Sequence, residues 1–346
     1  MLLLVWCLVG EVKALASPSG LLYQDQQAAM ARRAFEEEGM MAANSKELKA
    51  PLLKKTKAKA GTGFGSRAVD SGKGQEARVL RKEGVLRVDK AVTSECADAL
   101  RTYLLEEQRQ AYERVAKSPE LARSLFGVED IRKNRCDLQL SLLRNTSEKH
   151  QVADVLQELL GEEGSLRSIY EDLVTTAGEF YELAAVITNP GSDRQQVHPD
   201  LPFRSEAPLY VLFLALQDIT EAMGPTSFLP RTHTAKAIEL FDNPQTKDDL
   251  LRTSKCLLST LNKGDAVIFD ARLLHCGNAN KSDQVRALFN LSFRNPKVTG
   301  DLGYEGSMRP NYVQRMNLAD VANSLKDYTD GNLDPYAHYG DGLLEQ

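Results

Sequence analysis

The pattern of apolar and polar positions divides the chain near Arg78. "VLRKEGVLRVDKAV" (79–92) alternates apolar and polar residues and predicts a strand. The following "TSECADALRTYLLEEQRQAYERVAK" carries Ala97, Leu100, Leu104, Ala111 and Val115 at helical spacing, with Thr93 or Ser94 placed to cap it. "CDLQLSLL" (136–143) alternates again. "HQVADVLQELLGEEGSLRSIYEDLV" reads as helix interrupted by Gly161 and Gly164. From about residue 179 the period shortens. "FYELAAVITN", "LYVLFLALQDI", "TSFLP", "DAVIFD" and "RALFNLSFR" predict strands, separated by the turn-forming "NPGS", "EAMGP" and "NKGD". A helical block followed by many short strands predicts a mostly β domain with flanking α, closed as a barrel or sandwich and buttressed by N-terminal helices. No internal repeat is visible.

Composition narrows the partners. The 346 residues include 43 Lys+Arg and 48 Asp+Glu, a net charge of −5, so the chain as a whole has no attraction for nucleic-acid phosphates. An apolar fraction of 42% is enough for a sizeable core. The five cysteines (7, 96, 136, 256, 276) form no Cys-x-x-Cys pair, which argues against a structural zinc site and a dense disulfide framework and predicts mostly reduced, buried thiols. The expected partner is a small-molecule substrate. No segment predicts stable membrane insertion, and the oligomeric state is open.

The ends read differently from the centre. Residues 1–16 combine the apolar "LLLVWCLV" with a small-x-small pattern ending at Ala16, compatible with a signal or plastid-targeting segment. Without that function the compartment reads as cytoplasmic. Residues 17–78, lysine- and glycine-rich toward their end, read as an extension or linker, disordered in part. The globular domain is expected over 79–300. Residues 301–346 form a C-terminal extension that either covers the barrel or is flexible.

Candidate chemistry sits among five histidines. "QQVHPDLPF" contains His198 and Asp200. His-x-Asp is short and arises by chance, but a second histidine, His275, follows the strand candidate "AVIFD", and Arg286 opens the next one. Two imidazoles and a carboxylate on neighbouring strand ends can hold one face of an octahedral metal. Three positions then stay open, an arrangement suited to Fe(II) that must bind both a cosubstrate and O₂. A guanidinium pairs in bidentate fashion with the far carboxylate of a diacid. On a strand, Arg286, Leu288, Asn290 and Ser292 share one face, toward the barrel interior, and Ala287, Phe289, Leu291 and Phe293 the other. Arg135, Arg204 and Arg294 are expected at the surface or in salt bridges, His150 and His338 in solvent, and Cys276 as a small packing residue.

In order and spacing, His-x-Asp, "GPTSFLPRTHT" (224–234) and "GDAVIFDARLLH…R" resemble the phytanoyl-CoA dioxygenase family of Fe(II)- and 2-oxoglutarate-dependent oxygenases. "EGVLRVDKAVTSECADALRTYL" resembles that family's usual start. The resemblance covers roughly residues 80–300. It implies a double-stranded β-helix, the jelly-roll or cupin-like fold, with the N-terminal helices packed on it. It also implies that Fe(II) is held by His198, Asp200 and His275, and the C5 carboxylate of 2-oxoglutarate by Arg286, with O₂ as oxidant. Some relatives carry a hydroxyl residue beside the cosubstrate where Gly277 stands, so that contact is left to Thr226, Gln195 or Ser292. His233 matches a family histidine that lines or supports the site without ligating metal. Asp200 favours hydroxylation, because halogenating relatives replace it with a small residue. The alternatives are a cupin-like metalloenzyme that does not use 2-oxoglutarate and an inactive binding module on the same barrel.

Overall fold

The computed structural model describes residues 74–127, 134–142, 151–304, 306–309 and 312–329. Residues 1–16, most of the 17–78 extension, His150 and His338 lie outside them. The fold is a double-stranded β-helix. Six antiparallel strands form the larger sheet in the order β1 (Val85–Val88), β7 (Ala266–Asp270), β4 (Leu209–Ala215), β9 (Arg286–Arg294), β3 (Glu179–Thr188), β2 (Arg135–Gln139). The smaller sheet runs β6 (Leu257–Leu258), β5 (Thr226–Phe228), β8 (His275–Gly277). Val211, Phe269 and Leu288 of the larger sheet meet Phe228 of the smaller in one buried cluster inside the barrel.

The alternation expected of β9 is realised. Ala287, Phe289, Leu291 and Phe293 join a second core with Leu100, Leu104, Leu156 and Tyr170 of the helices, whereas Leu288 faces the barrel interior. Tyr170 meets Phe293 edge-on at 5.0 Å. The helices involved are α2 (Ser94–Lys117), α3 (Gln151–Leu160) and α4 (Arg167–Val174). Thr93 caps α2 by accepting the Cys96 N–H, and the break at Gly161 and Gly164 separates α3 from α4.

Two stretches depart from the sequence pattern, and the C-terminal segment, whose place the sequence left open, packs on the barrel. Residues 79–83, expected as strand, belong to α1 (Gln75–Glu83), and the strand is only Val85–Val88. Ala77 and Leu80 bury one helical face, and Gly84 (φ 80°) ends the helix by returning its N–H to Leu80 O at 2.7 Å. Two further helices, α5 (Ala235–Asp242) and α6 (Pro244–Thr253), fill the connection from β5 to β6. Their caps, Thr234 and then Asn243 before Pro244, are ordinary start signals. Finally, the segment after residue 300 enters the barrel: Leu183 N–H donates to Ser307 O, and Tyr304 packs on Tyr181. It is followed by α7 (Leu318–Thr329).

Cys96, Cys136 and Cys276 are buried and Cys256 is half-buried, and Gln108 Nε2 donates to Cys136 Sγ at 3.0 Å. Among the described residues no helix is long and apolar enough to cross a membrane.

Candidate metal centre and cosubstrate pocket

The loop carrying His198 is laced onto β8, so two positions distant in sequence become neighbours. His198 and His275 exchange both backbone hydrogen bonds (3.0 and 2.9 Å), and Gln195 N–H donates to Gly277 O at 2.8 Å. Asp200 N–H donates to Ala271 O at 2.8 Å. The two imidazoles lie 4.7 Å apart between centroids. Among the described residues, His198, Asp200 and His275 form the one cluster of three ligating side chains whose ligand atoms all lie within 4.8 Å of each other.

The tautomers follow from the backbone. Nδ1 of His198 lies 2.8 Å from Gln196 O, and Nδ1 of His275 lies 2.8 Å from Leu273 O. A carbonyl only accepts, so each Nδ1 carries the proton and each Nε2 keeps its lone pair for a metal. Those Nε2 atoms stand 3.7 Å (His198) and 3.3 Å (His275) from Asp200 Oδ1. Adjacent ligands about 2.1 Å from a shared ion sit about 3 Å apart, so the triad fits a divalent ion with only small adjustments. Phe228 and Phe269 pack on the His275 ring. Burial alone would raise the Asp200 carboxyl, yet His275 and His198 hold it below the usual range. Burial would likewise lower His275, but the Asp200 charge and hydrogen bond raise it. The site therefore stabilises a positive charge between these groups.

Arg286 is among the largest fully buried side chains, 2% exposed. Its Nη1 donates to Gly224 O and its Nη2 to Thr188 Oγ1 at 3.1 Å, while Nε has no hydrogen-bond partner. Burial, then the charge of Arg135, lowers its guanidinium to about 9. An uncompensated buried guanidinium costs several kcal/mol, and among the described residues no carboxylate pairs with it. A buried guanidinium of this kind is suited to an anion.

Arg135 corrects the sequence reading. It is buried, not a surface residue, and faces Thr188 across the β2–β3 ladder just as Arg286 faces Thr188 across β3–β9. A Cβ added to Gly277 would fall 3.3 Å or less from both Arg135 terminal nitrogens and 2.7 Å from Gln195 Oε1, so glycine is what the approach requires. Arg204 and Arg294 do tie down surface chain: Arg204 holds Thr299 O and Asp301 O, and Arg294 holds Val298 O and Gly300 O beside Glu179.

Of the other candidates, Gln195 and Thr226 flank Gly277. Gln195 Oε1 accepts the Gly277 N–H at 2.8 Å, and Thr226 is buried in register with Gly277. Ser292 is elsewhere. Six residues of extended strand, roughly 20 Å, separate it from Arg286, and it stands opposite Glu182, beyond reach of a five-carbon diacid anchored on Arg286. His233 is structural. Its Nε2 lies 3.0 Å from Arg81 O and its ring packs over Gly84 and Leu273, the residue whose carbonyl orients His275. Sequence reasoning missed Asp137 and Glu182, both on the interior side of the larger sheet. Only the alternation of β2 and β3 marked them.

A family model described as phytanoyl-CoA dioxygenase matches residues 80–288. A curated relative, "Dioxygenase FrzG" of Cladobotryum sp., is 24% identical over 224 residues, covering 61% of this chain and 69% of that protein. Similar solved structures include the non-heme α-ketoglutarate-dependent carbocyclase SnoK from nogalamycin biosynthesis (17% identity, TM-score 0.45, 67% of this chain and 87% of that one). They also include the epimerase SnoN in complex with Fe³⁺, α-ketoglutarate and nogalamycin RO (17%, 0.44, 67% and 93%). The family model spans most of the globular part and contains His198, Asp200, His275 and Arg286, so the chain belongs to the phytanoyl-CoA dioxygenase family and is a 2-oxoglutarate-dependent non-haem iron dioxygenase with Fe(II), 2-oxoglutarate and O₂ as its cofactors.

Proposed function

We propose that this enzyme hydroxylates a small organic substrate, with His198, Asp200 and His275 as the iron ligands and Arg286 as the anchor for the C5 carboxylate of 2-oxoglutarate. The observation that carries the reading is a triad with both Nε2 atoms turned toward one carboxylate, on the same barrel as a buried arginine that no carboxylate among the described residues pairs with. Iron held by these residues would supply the oxidising chemistry, with 2-oxoglutarate and O₂ consumed and succinate and CO₂ formed. The chain supplies the rest. Backbone carbonyls fix both imidazole tautomers, Phe228 and Phe269 keep one side of the His275 ring dry, and Arg286 orients the diacid with Arg135 reinforcing the positive field. Gln195 and Thr226 shape the cosubstrate wall around Gly277. The retained Asp200 occupies the place a halide would need, which favours hydroxylation.

The test is substrate-dependent or uncoupled succinate release from 2-oxoglutarate with Fe(II). His198→Ala and Arg286→Ala should each lose at least about 100-fold. Wild-type activity in both variants defeats the assignment.

A further inference from the structure

The interior face of the larger sheet carries groups that neither the metal nor the diacid uses. Antiparallel pairing sets them in rows. Arg135, Thr188 and Arg286 form the basic row; Asp137 is opposite Val186 in the next. Gln139 and Asn290 flank Ala184 in the third. Glu182 is opposite Ser292 in the fourth. Gln139, Glu182 and Asn290 are each at least nine-tenths buried. Four acceptor oxygens along this face, Asp137 Oδ1, Gln139 Oε1, Glu182 Oε2 and Asn290 Oδ1, lack a hydrogen-bond partner at normal distance, and the donor beside them is the Ser292 hydroxyl, which faces Glu182 and lowers its carboxyl.

The other oxygen of each carboxylate is held from the C-terminal segment. Ser307 Oγ donates to Asp137 Oδ2, Tyr304 Oη lies 2.8 Å from Glu182 Oε1, and Tyr304 Oη lies 2.7 Å from Ser307 Oγ. Tyr304 thus donates to Glu182 and Ser307 to Asp137. Burial raises both acids, Glu182 to about 7 and Asp137 to about 6, and both also feel the charge of Asp200, which places them on the metal's side of the barrel.

We propose that this acceptor-lined face is the substrate subsite and that it takes a protonated amine, seated between Glu182 and Asp137 with an adjacent carbon presented to the metal. This rests on the dioxygenase reading above and names its substrate class. An ammonium brings up to three N–H donors to unpartnered oxygens and a positive charge to buried carboxylates. A neutral alcohol offers one donor and leaves the charge uncompensated, and a carboxylate is repelled.

The test uses the full chain loaded with Mn(II) and 2-oxoglutarate, titrated calorimetrically with hexylamine and benzylamine against 1-hexanol, benzyl alcohol, hexanoate and benzoate. The amines should bind saturably and at least tenfold more tightly than the alcohols, with no binding of the carboxylates. Glu182→Gln should weaken the amines at least tenfold while the 2-oxoglutarate affinity stays within twofold. Tyr304→Phe, which keeps the Glu182 charge, should retain the preference for amines. Equal binding of amines and alcohols overturns the proposal, as does unchanged amine affinity in folded Glu182→Gln. If that variant does not fold, Asp137→Asn is read in the same way. Failure of 2-oxoglutarate to bind the Mn(II)-loaded protein counts against the cosubstrate site instead, and the amine comparison is then read on the Mn(II) form alone.

Discussion

Replacing Glu182 by glutamine should stabilise the metal-free protein at alkaline pH. Burial lifts this carboxyl from 4.5 to about 7, and each unit of displacement corresponds to about 1.4 kcal/mol. An acid whose folded pKa is raised contributes stability that is complete below its unfolded value and lost as pH rises through the folded one. The wild-type protein therefore gives up about 3 kcal/mol at this site between pH 4.5 and 7. Glutamine keeps an oxygen for the Tyr304 hydroxyl and is never charged. Urea unfolding in EDTA should show Glu182→Gln about 3 kcal/mol more stable than wild type at pH 8, roughly 5–10 °C in Tm for a domain of this size. The two should converge near pH 5. Adding Mn(II) should narrow the gap at pH 8, since a cation at Asp200 eases the same repulsion. A gain below about 1 kcal/mol at pH 8, or one independent of pH, would refute the argument that Glu182 is held at a cost to the fold. A stabilised variant with weakened amine binding is the pattern expected of a residue kept for function.

Other perturbations test other parts of the site. Gly277→Ala places a Cβ within 3.3 Å of the Arg135 guanidinium. It should raise KM for 2-oxoglutarate about tenfold or more with kcat largely kept, measured as succinate release; an unchanged KM would remove Arg135 and Gly277 from the cosubstrate wall. Gly84→Ala combines a left-handed backbone (φ 80°) with a Cβ 2.5 Å from His233 Nδ1. It should cost about 2–3 kcal/mol in urea unfolding. Mn(II) affinity should fall as pH drops through the raised pKa of His275, above 6.5, with uptake of about one proton per histidine freed. Calorimetry in buffers of different ionisation enthalpy reads that proton directly, and a pH-independent affinity would exclude the histidines as ligands.

Much of the metal centre was legible in the chain because its parts are distinguished by residue type. Histidine is scarce here, His198 and Asp200 lie two positions apart, and His275 and Arg286 each adjoin a strand recognisable by its apolar run. The alternation of β9 likewise separated Leu288 from the helix-facing Ala287, Phe289, Leu291 and Phe293, since a pleated strand shows opposite faces at every step. The helices at 235–253 had readable caps, but the apolar stripe that would have drawn attention to them is short.

What the amino-acid order by itself determined was local: periodicity, caps, and the kinds of donor available. The neighbours of each strand were decided by the β1-β7-β4-β9-β3-β2 pairing, which joins segments over a hundred residues apart. That pairing put Arg135 in the same row as Arg286, carried Ser292 away from it to Glu182, and let Tyr304 and Ser307 reach two acids in the barrel. No sequence window contains such contacts, because the sheet's hydrogen bonds and the burial of its outer face, rather than chain proximity, select the register that creates them.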